Sequence, residues 1–306
     1  MVMRVFVAGG SGVLGRRLVG QLVARGHQVT ATTTSPAKLD LLRQLGAEGV
    51  VMDGLDAVSV GQTVAGARPD VIVHQMTGLS EGHAGRPDMR KAERFFATTN
   101  RLRTEGIDHL LAAAEATGVS HVVAQSHASF NGNREGGWIK TEEEPLQVVE
   151  GTKAISHLEN AVVGAGGAAL RYGAFYGPGA NDDQVGMVRK RMFPLVGGGT
   201  GYTSWVHLDD AASATVLAVE QKARGVFNIV DDEPAPVHEW LPYLAQCAGA
   251  KPPRRLPAWL ARLLAGEMLV GMMTEGRGFS NAKARRELGW EPRYPSWRQG
   301  FREELA

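Results

Sequence analysis

The stretch Arg4-Val5-Phe6-Val7-Ala8-Gly9-Gly10-Ser11-Gly12-Val13-Leu14-Gly15-Arg16 decides the fold. Its continuous apolar run from Val5 to Ala8 predicts a strand covered on both faces. From Gly12 to Arg25 the apolar residues Val13, Leu14, Leu18, Val19, Leu22 and Val23 recur at helical spacing. Between strand and helix, Gly9, Gly12 and Gly15 form a G-x-x-G-x-x-G loop. The first glycine permits a tight turn, the second lets backbone approach a pyrophosphate, and the third lets helix and sheet pack closely. Unpaired N–H groups at the helix start then suit a phosphate. The loop therefore predicts dinucleotide binding through Gly9, Ser11, Gly12, Val13, Leu14, Gly15 and Arg16.

Outward from this loop, short β-type runs alternate with helical stretches. Strands are expected at 28–32, 49–52, 70–74, 120–125 and 168–172. Helices are expected from Pro36, over 91–117 with a break at Gly106, and over 152–164. Such alternation implies an α/β, Rossmann-type, doubly wound parallel sheet. After Gly173 the pattern turns irregular and proline-rich, with a helix expected over 208–220 and a strand over 226–230. Residues 1–173 are read as the dinucleotide-binding domain. Residues 174–306 are read as a smaller, mixed substrate lobe intertwined with it.

Composition bounds the remaining possibilities. The 306 residues are 43% hydrophobic and 21% charged, an ordinary globular balance. The 33 basic and 32 acidic side chains leave no general pull toward nucleic acid or anionic membrane. A single cysteine, Cys247, excludes an internal disulfide and a cysteine zinc cluster. The nine histidines form no H-x-x-x-H pair, so no metal is expected. No run reaches the ~18 apolar residues of a membrane span, and the start lacks a secretory segment. A cytoplasmic protein acting on a small molecule is expected.

The coenzyme is read from the end of the second strand, where an NAD site carries a carboxylate. Here Thr32-Thr33-Thr34-Ser35 precedes any acid, and Arg16, Arg17 and Lys38 are near in sequence. Thr33 is the expected contact, and the absence of an acid favours NADP over NAD.

On these residues the chain resembles the extended or atypical short-chain dehydrogenase/reductases, the group of NAD(P)-dependent epimerase/dehydratase-like proteins. Further motifs carry the resemblance: Val51-Met52-Asp53-Gly54, Asn100, Leu170-Arg171-Tyr172, Tyr176-Gly177-Pro178-Gly179, Trp205-Val206-His207-Leu208-Asp209-Asp210, and the tail from Ser280 to Trp290. It implies that Asp53 contacts adenine, that residues 74–77 including Met76 face the ribose, and that Asn100 stands near the active site. It also makes a homodimer an expectation.

The family chemistry uses a Tyr-x-x-x-Lys pair and a Ser or Thr after the fifth strand. A Lys ammonium one helical turn from a phenol favours the phenolate, so the Tyr exchanges a proton while the coenzyme exchanges hydride. Ser126 and Lys153 match two members of this set, but Val149 stands where the tyrosine belongs. The five tyrosines are 172, 176, 202, 243 and 294, and none precedes Lys153. His127, beside Ser126, and Tyr172 and Tyr176, which follow the sixth strand and should border the cleft, are the expected replacements. Ser129, His83 and His207 are weaker candidates, and Trp138, Trp205, Phe130 and Met76 are candidate pocket walls. Lys153 is either a ribose ligand or a surface lysine. Three functional readings stand open: an oxidoreductase for a small or medium hydrophobic carbonyl or alcohol, an epimerase, dehydratase or cyclase without net redox change, and a non-catalytic NADP-binding regulator.

Overall fold

A computed structural model describes residues 2–79, 92–128, 135–144 and 150–305. Seven strands form one sheet: β1 (Arg4–Ala8), β2 (Gln28–Thr33), β3 (Glu48–Val51), β4 (Val71–His74), β5 (Val122–His127), β6 (Ala168–Tyr172) and β7 (Gly225–Ile229). Their spatial order is β7-β6-β5-β4-β1-β2-β3, and every pairing is parallel. The order reverses at β1, so a crevice opens above its carboxyl end, where open α/β sheets bind ligands. The seventh strand comes from beyond Gly173, so the later half of the chain returns to complete the sheet.

The helices that cover the sheet are α1 (Val13–Ala24), α2 (Leu39–Gln44), α3 (Ala57–Ala67), α4 (Ala92–Arg101), α5 (Ile107–Thr117) and α6 (Lys153–Gly164). They are followed by α7 (Asp182–Arg189), α8 (Leu208–Glu220), α9 (Val237–Cys247), α10 (Ala258–Ala265), α11 (Glu267–Glu275), α12 (Ala282–Leu288) and α13 (Trp297–Leu305). On one face, Leu14, Leu18 and Leu22 of α1 join Ala211, Val216 and Val219 of α8 against Val5, Val73 and Val123. On the other, Val60, Leu110 and Leu158 of α3, α5 and α6 pack on Phe6, Ile72 and Ala124. This two-sided burial is why the strands read as unbroken apolar runs.

The helix expected over 91–117 is interrupted as its glycine suggested, but not by a break. Leu102–Gly106 is a turn of π-helix that joins α4 to α5. A π turn adds one residue to the local repeat and so rotates the side chains that follow it.

The C-terminal lobe has its own aromatic core of Tyr176, Trp205, Trp240, Trp297 and Phe301. Two buried carboxylates fasten the tail to it. Asp210 accepts hydrogen bonds from the Arg293 and Tyr294 amides at 2.7 and 2.9 Å, and Asp231 accepts from the Trp297 amide at 2.8 Å. Trp290 donates its indole N–H to Ser213 at 3.0 Å. The Trp205–Asp210 motif and the tail motif are thus parts of one joint. No helix among the described residues is long and apolar enough to cross a membrane.

Candidate active site

The glycine loop has the geometry its spacing requires. Gly9 sits at φ +90°, and a Cβ there meets the Gln75 carbonyl oxygen at 2.7 Å. A Cβ on Gly15 would collide with the carbonyl oxygens of Gly9 and Gly10. Gly12 differs, because a Cβ there meets only the Gly9 oxygen, at 3.3 Å, and otherwise open space. Gly12 caps α1 with no side-chain bond, and no acid lies in the first turn. The helix start therefore offers amides and positive dipole to an anion, without a side chain in the way. The residues fit a dinucleotide pyrophosphate.

Ser11 donates to the Thr33 hydroxyl at 3.0 Å, and the Gly9 amide donates to Thr32 at 3.0 Å. Thr33 is buried and also receives the Ser35 amide at 3.2 Å. It ties the loop to β2, while Thr34 and Lys38 carry the exposed chemistry of that strand end. Arg16 is exposed, with its guanidinium nitrogen 4.0 Å from a Cβ placed on Gly179, while Arg17 faces Asp209 at 3.6 Å. Asp53 is exposed after β3 and accepts from the Leu55 amide at 2.9 Å.

At the end of β4 the expected ribose-facing residues separate. His74 is buried, bonds the Leu102 carbonyl at 3.0 Å, and has its pKa lowered by burial. Gln75 is buried and donates to the Tyr172 hydroxyl at 3.2 Å. The Met76 side chain packs in the core against Gly54 and Leu102, because the small glycine leaves it that space. Its side chain therefore belongs to the core rather than to a pocket wall.

The end of β5 holds the other candidates. Ser126 and His127 are adjacent and so face opposite sides of the sheet. Ser126 is buried and donates to Glu159 of α6 at 2.5 Å. Arg171 of β6, paired in register with Ser126, grips the same carboxylate with two hydrogen bonds of 2.8 and 2.7 Å. Ser126 is thereby part of a buried strand-to-helix tie. His127 ends the strand half-buried, and burial first, then the nearby Arg103 charge, pushes its pKa down to about 3. Lys153 opens α6 with its side chain exposed. Asn100 is half-buried in α4, and its carbonyl accepts the Thr104 hydroxyl at 3.1 Å.

No described tyrosine stands in for the one missing at 149. Tyr176 lies in the lobe core between Trp205, His207 and Phe301, with its hydroxyl against Gly300. Burial first, then Asp231 and Asp210, raises its pKa, so it is a poor proton carrier. This placement corrects the expectation that Tyr176 borders the cleft. Tyr172 is fully buried, bonded to Gln75 and to Thr215 at 2.6 Å, and burial pushes its pKa up to about 12. Tyr202 stacks near Trp138 at 5.5 Å, Tyr243 donates to the Arg298 carbonyl, and Tyr294 lies on His207 at 4.1 Å. His207 itself caps α8 by accepting the Asp209 amide at 3.1 Å. Trp205 is core, while Trp138 is exposed under the Arg277 guanidinium, 4.2 Å from its ring. His83, Ser129, Phe130 and Val149 lie outside the described residues. Among the described residues no cluster of His, Cys, Asp and Glu is arranged to hold a metal.

Residues 5–230 match the model of the NAD dependent epimerase/dehydratase family. The chain belongs to that family. It is 43% identical over 99% of its length, and 100% of the relative's, to a 3-diazoavenalumate denitrifying reductase of a Streptomyces species. It is 29% identical to the 2-alkyl-3-oxoalkanoate reductase of Stenotrophomonas maltophilia, covering 95% of each. Among solved structures it resembles the UDP-glucose 4-epimerase of Thermotoga maritima with UDP-glucose. There the TM-score is 0.79, the identity 21%, and 98% of this chain and 97% of that one are covered. A human epimerase family protein with NADPH gives a TM-score of 0.75 at 20% identity, over 99% of both chains. These structures share the fold. Together with the reductase relatives they make this chain an NAD(P)-dependent oxidoreductase of the extended short-chain dehydrogenase/reductase type.

Sequence reasoning passed over Arg103 and Glu159, and had Gln75 only within the 74–77 run expected at the ribose. Glu159 and Arg171 had an available signal: a charged residue inside an apolar helix face and another inside an apolar strand imply each other when both must be buried. For Arg103 the signal was its place four residues before Ile107 and seven before Leu110, on the buried face of the helical repeat.

Proposed function

We propose that this enzyme reduces a group that accepts hydride without needing a proton from the protein, and that the group is the diazonium function of a small carboxylate-bearing arenediazonium. The carrying observation is the tyrosine inventory: Val149 replaces the phenol one turn before Lys153, and every tyrosine is engaged elsewhere. A carbonyl that receives hydride becomes an alkoxide and needs a proton, so a positioned acid contributes about 10²–10⁴ in rate. His127 does not supply it, because its imidazole is neutral at working pH. A diazonium group is already cationic. NADPH, when bound, would supply the hydride, and an arenediazonium would then give arene, dinitrogen and NADP⁺ with atoms and charge balanced and no added proton.

In this reading the chain's residues bind and orient. The amides around Gly9, Ser11, Gly12, Val13 and Leu14 hold the pyrophosphate, Arg16 adds charge beside it, and Asp53 serves the adenine side. Thr34 and Lys38, in a strand end without a carboxylate, support NADPH over NADH. Lys153 contacts the nicotinamide ribose, and His127 forms the neutral wall at the reacting centre. Ser126 holds β5 to α6 through Glu159 and so fixes that wall. The active protein is expected in the cytoplasm as a homodimer.

The test is anaerobic incubation of the enzyme and NADPH with a carboxylate-bearing arenediazonium and, separately, with a panel of aliphatic and aryl ketones. One dinitrogen released per NADPH consumed, with ketones at least 100-fold slower, is expected. Faster turnover of a ketone returns the reading to carbonyl reduction. Product isomerised without NADPH consumption overturns the redox reading altogether.

A further inference from the structure

We propose that Arg103 is the anion clamp of the substrate site, holding the carboxylate of the substrate at the carboxyl end of β5. Its position is unusual for an arginine. It lies in the π turn between α4 and α5, and its residue is only 7% exposed. Its guanidinium makes no hydrogen bond and no close ion pair with any described residue. A buried guanidinium costs several kcal/mol unless its charge and donors are satisfied.

The nearest acid does not satisfy it. Glu159 acts on Arg103 electrostatically, yet both of its oxygens already receive Arg171, and one also receives Ser126. Arg103 thus feels the Glu159 charge without receiving any of that carboxylate's hydrogen bonds. Glu142 acts on Arg171 and Lys283, and its carboxylate accepts the Asn228 amide at 2.7 Å. Arg103 also acts on His127 at the strand end. A guanidinium with no hydrogen-bond partner among the described residues therefore acts on the residue that ends β5.

The anion that answers it is the substrate's and not the coenzyme's. The pyrophosphate loop follows β1, and β4 lies between β1 and β5. Two strand spacings place the β5 end about 10 Å from that loop. A planar carboxylate matches the parallel N–H fork of a guanidinium. The inference rests on the proposed site only in taking the β5 end as the place where substrate sits. The identity of the reduced group does not enter.

The test is equilibrium binding, so it is independent of turnover. Cinnamate and cinnamamide are titrated calorimetrically into the full chain saturated with NADP⁺. Cinnamate is expected to bind at least tenfold tighter than the neutral amide. Arg103→Met should weaken cinnamate about 100-fold, leave cinnamamide and NADPH affinity within threefold, and raise the melting temperature of the ligand-free protein, because an uncompensated buried charge is gone. Arg103→Lys should keep part of the preference. Equal binding of the two probes by the unaltered enzyme, or no cinnamate binding, overturns the proposal. So does an Arg103→Met protein that melts lower while its preference for cinnamate persists, since Arg103 is then a counter-ion for Glu159. Failure of diazonium reduction with this binding pattern intact would sink the proposed reaction and leave the clamp standing.

Discussion

The Ser126 hydroxyl donates to Glu159 at 2.5 Å while Arg171 holds both oxygens of the same carboxylate. The pair Arg171–Glu159 is buried, with side chains 5% and 4% exposed. Removing one member of such a pair strands the other's charge and costs roughly 3–5 kcal/mol. Glu159→Ala is therefore expected to lower stability by that order in urea denaturation. Ser126→Ala removes one hydrogen bond to a charged group, worth about 1.5–3 kcal/mol, and leaves the ion pair. Its kcat should stay within about tenfold of the unaltered enzyme. A fall of 10²–10⁴ in kcat with unchanged stability would restore Ser126 to the chemical step.

The glycine loop separates folding from binding at two positions. Gly15→Ala forces a methyl group onto the Gly9 and Gly10 carbonyls, so it should lower the melting temperature of the ligand-free protein. Gly12→Val puts its branch into open space at the helix start. It should melt near the parent temperature and lose at least 100-fold in NADPH affinity. Fluorescence titration with NADPH beside thermal melting checks both. Retained NADPH affinity in Gly12→Val would remove the pyrophosphate from this turn.

Much of this architecture is legible in the sequence because the strands are buried on both faces and the helices are amphipathic. Every expected strand appears within two residues, and the helix over 208–220 appears as read. What stayed hidden depends on which way a side chain turns. Strand alternation separates Ser126 from His127, and a reading of neighbours in sequence treats them as one unit. Counting back in threes and fours from Ala114 through Leu110 and Ile107 lands on Arg103 and then Thr99, but an arginine at such a position reads as a solvated side chain. Tyr176 looks like a cleft residue because it follows the carboxyl end of the sixth strand, but its ring fills the second core, whose partners Trp297 and Phe301 come from the far end of the chain.

His127 carries a pH signature with a definite sign. Its folded pKa is near 3, below the ordinary 6.5, so the folded state refuses a proton that the unfolded chain accepts. Its contribution is complete above about pH 6.5 and is lost as pH falls toward 3. His74 and His121 are lowered by burial too and act in the same direction. Asp210 and Asp231, raised by burial, act oppositely, so the measurement is a difference. The stability gap between the parent and His127→Asn should change steadily between pH 6.5 and 4 and be flat from pH 7 to 9. In the same range kcat/KM should show no step belonging to an imidazole. A bell-shaped profile with a limb near pH 6.5 that vanishes in His127→Asn would make His127 a proton carrier.

The coenzyme preference is expected to be set where β2 ends. Thr33 is buried and spent on Ser11 and Ser35, so the adjacent exposed Thr34 is the position from which a side chain reaches a ribose. A carboxylate there would accept hydrogen bonds from the 2′-hydroxyl of NADH and repel the 2′-phosphate of NADPH. Thr34→Asp should lower NADPH affinity at least tenfold and raise NADH affinity. Lys38→Glu should weaken NADPH alone, and more at low salt than at high, since an exposed charge is screened. Dissociation constants for the two coenzymes at two ionic strengths check this. An unaltered enzyme that binds NADH as tightly as NADPH would show that the missing acid is compensated elsewhere and that the strand end does not select.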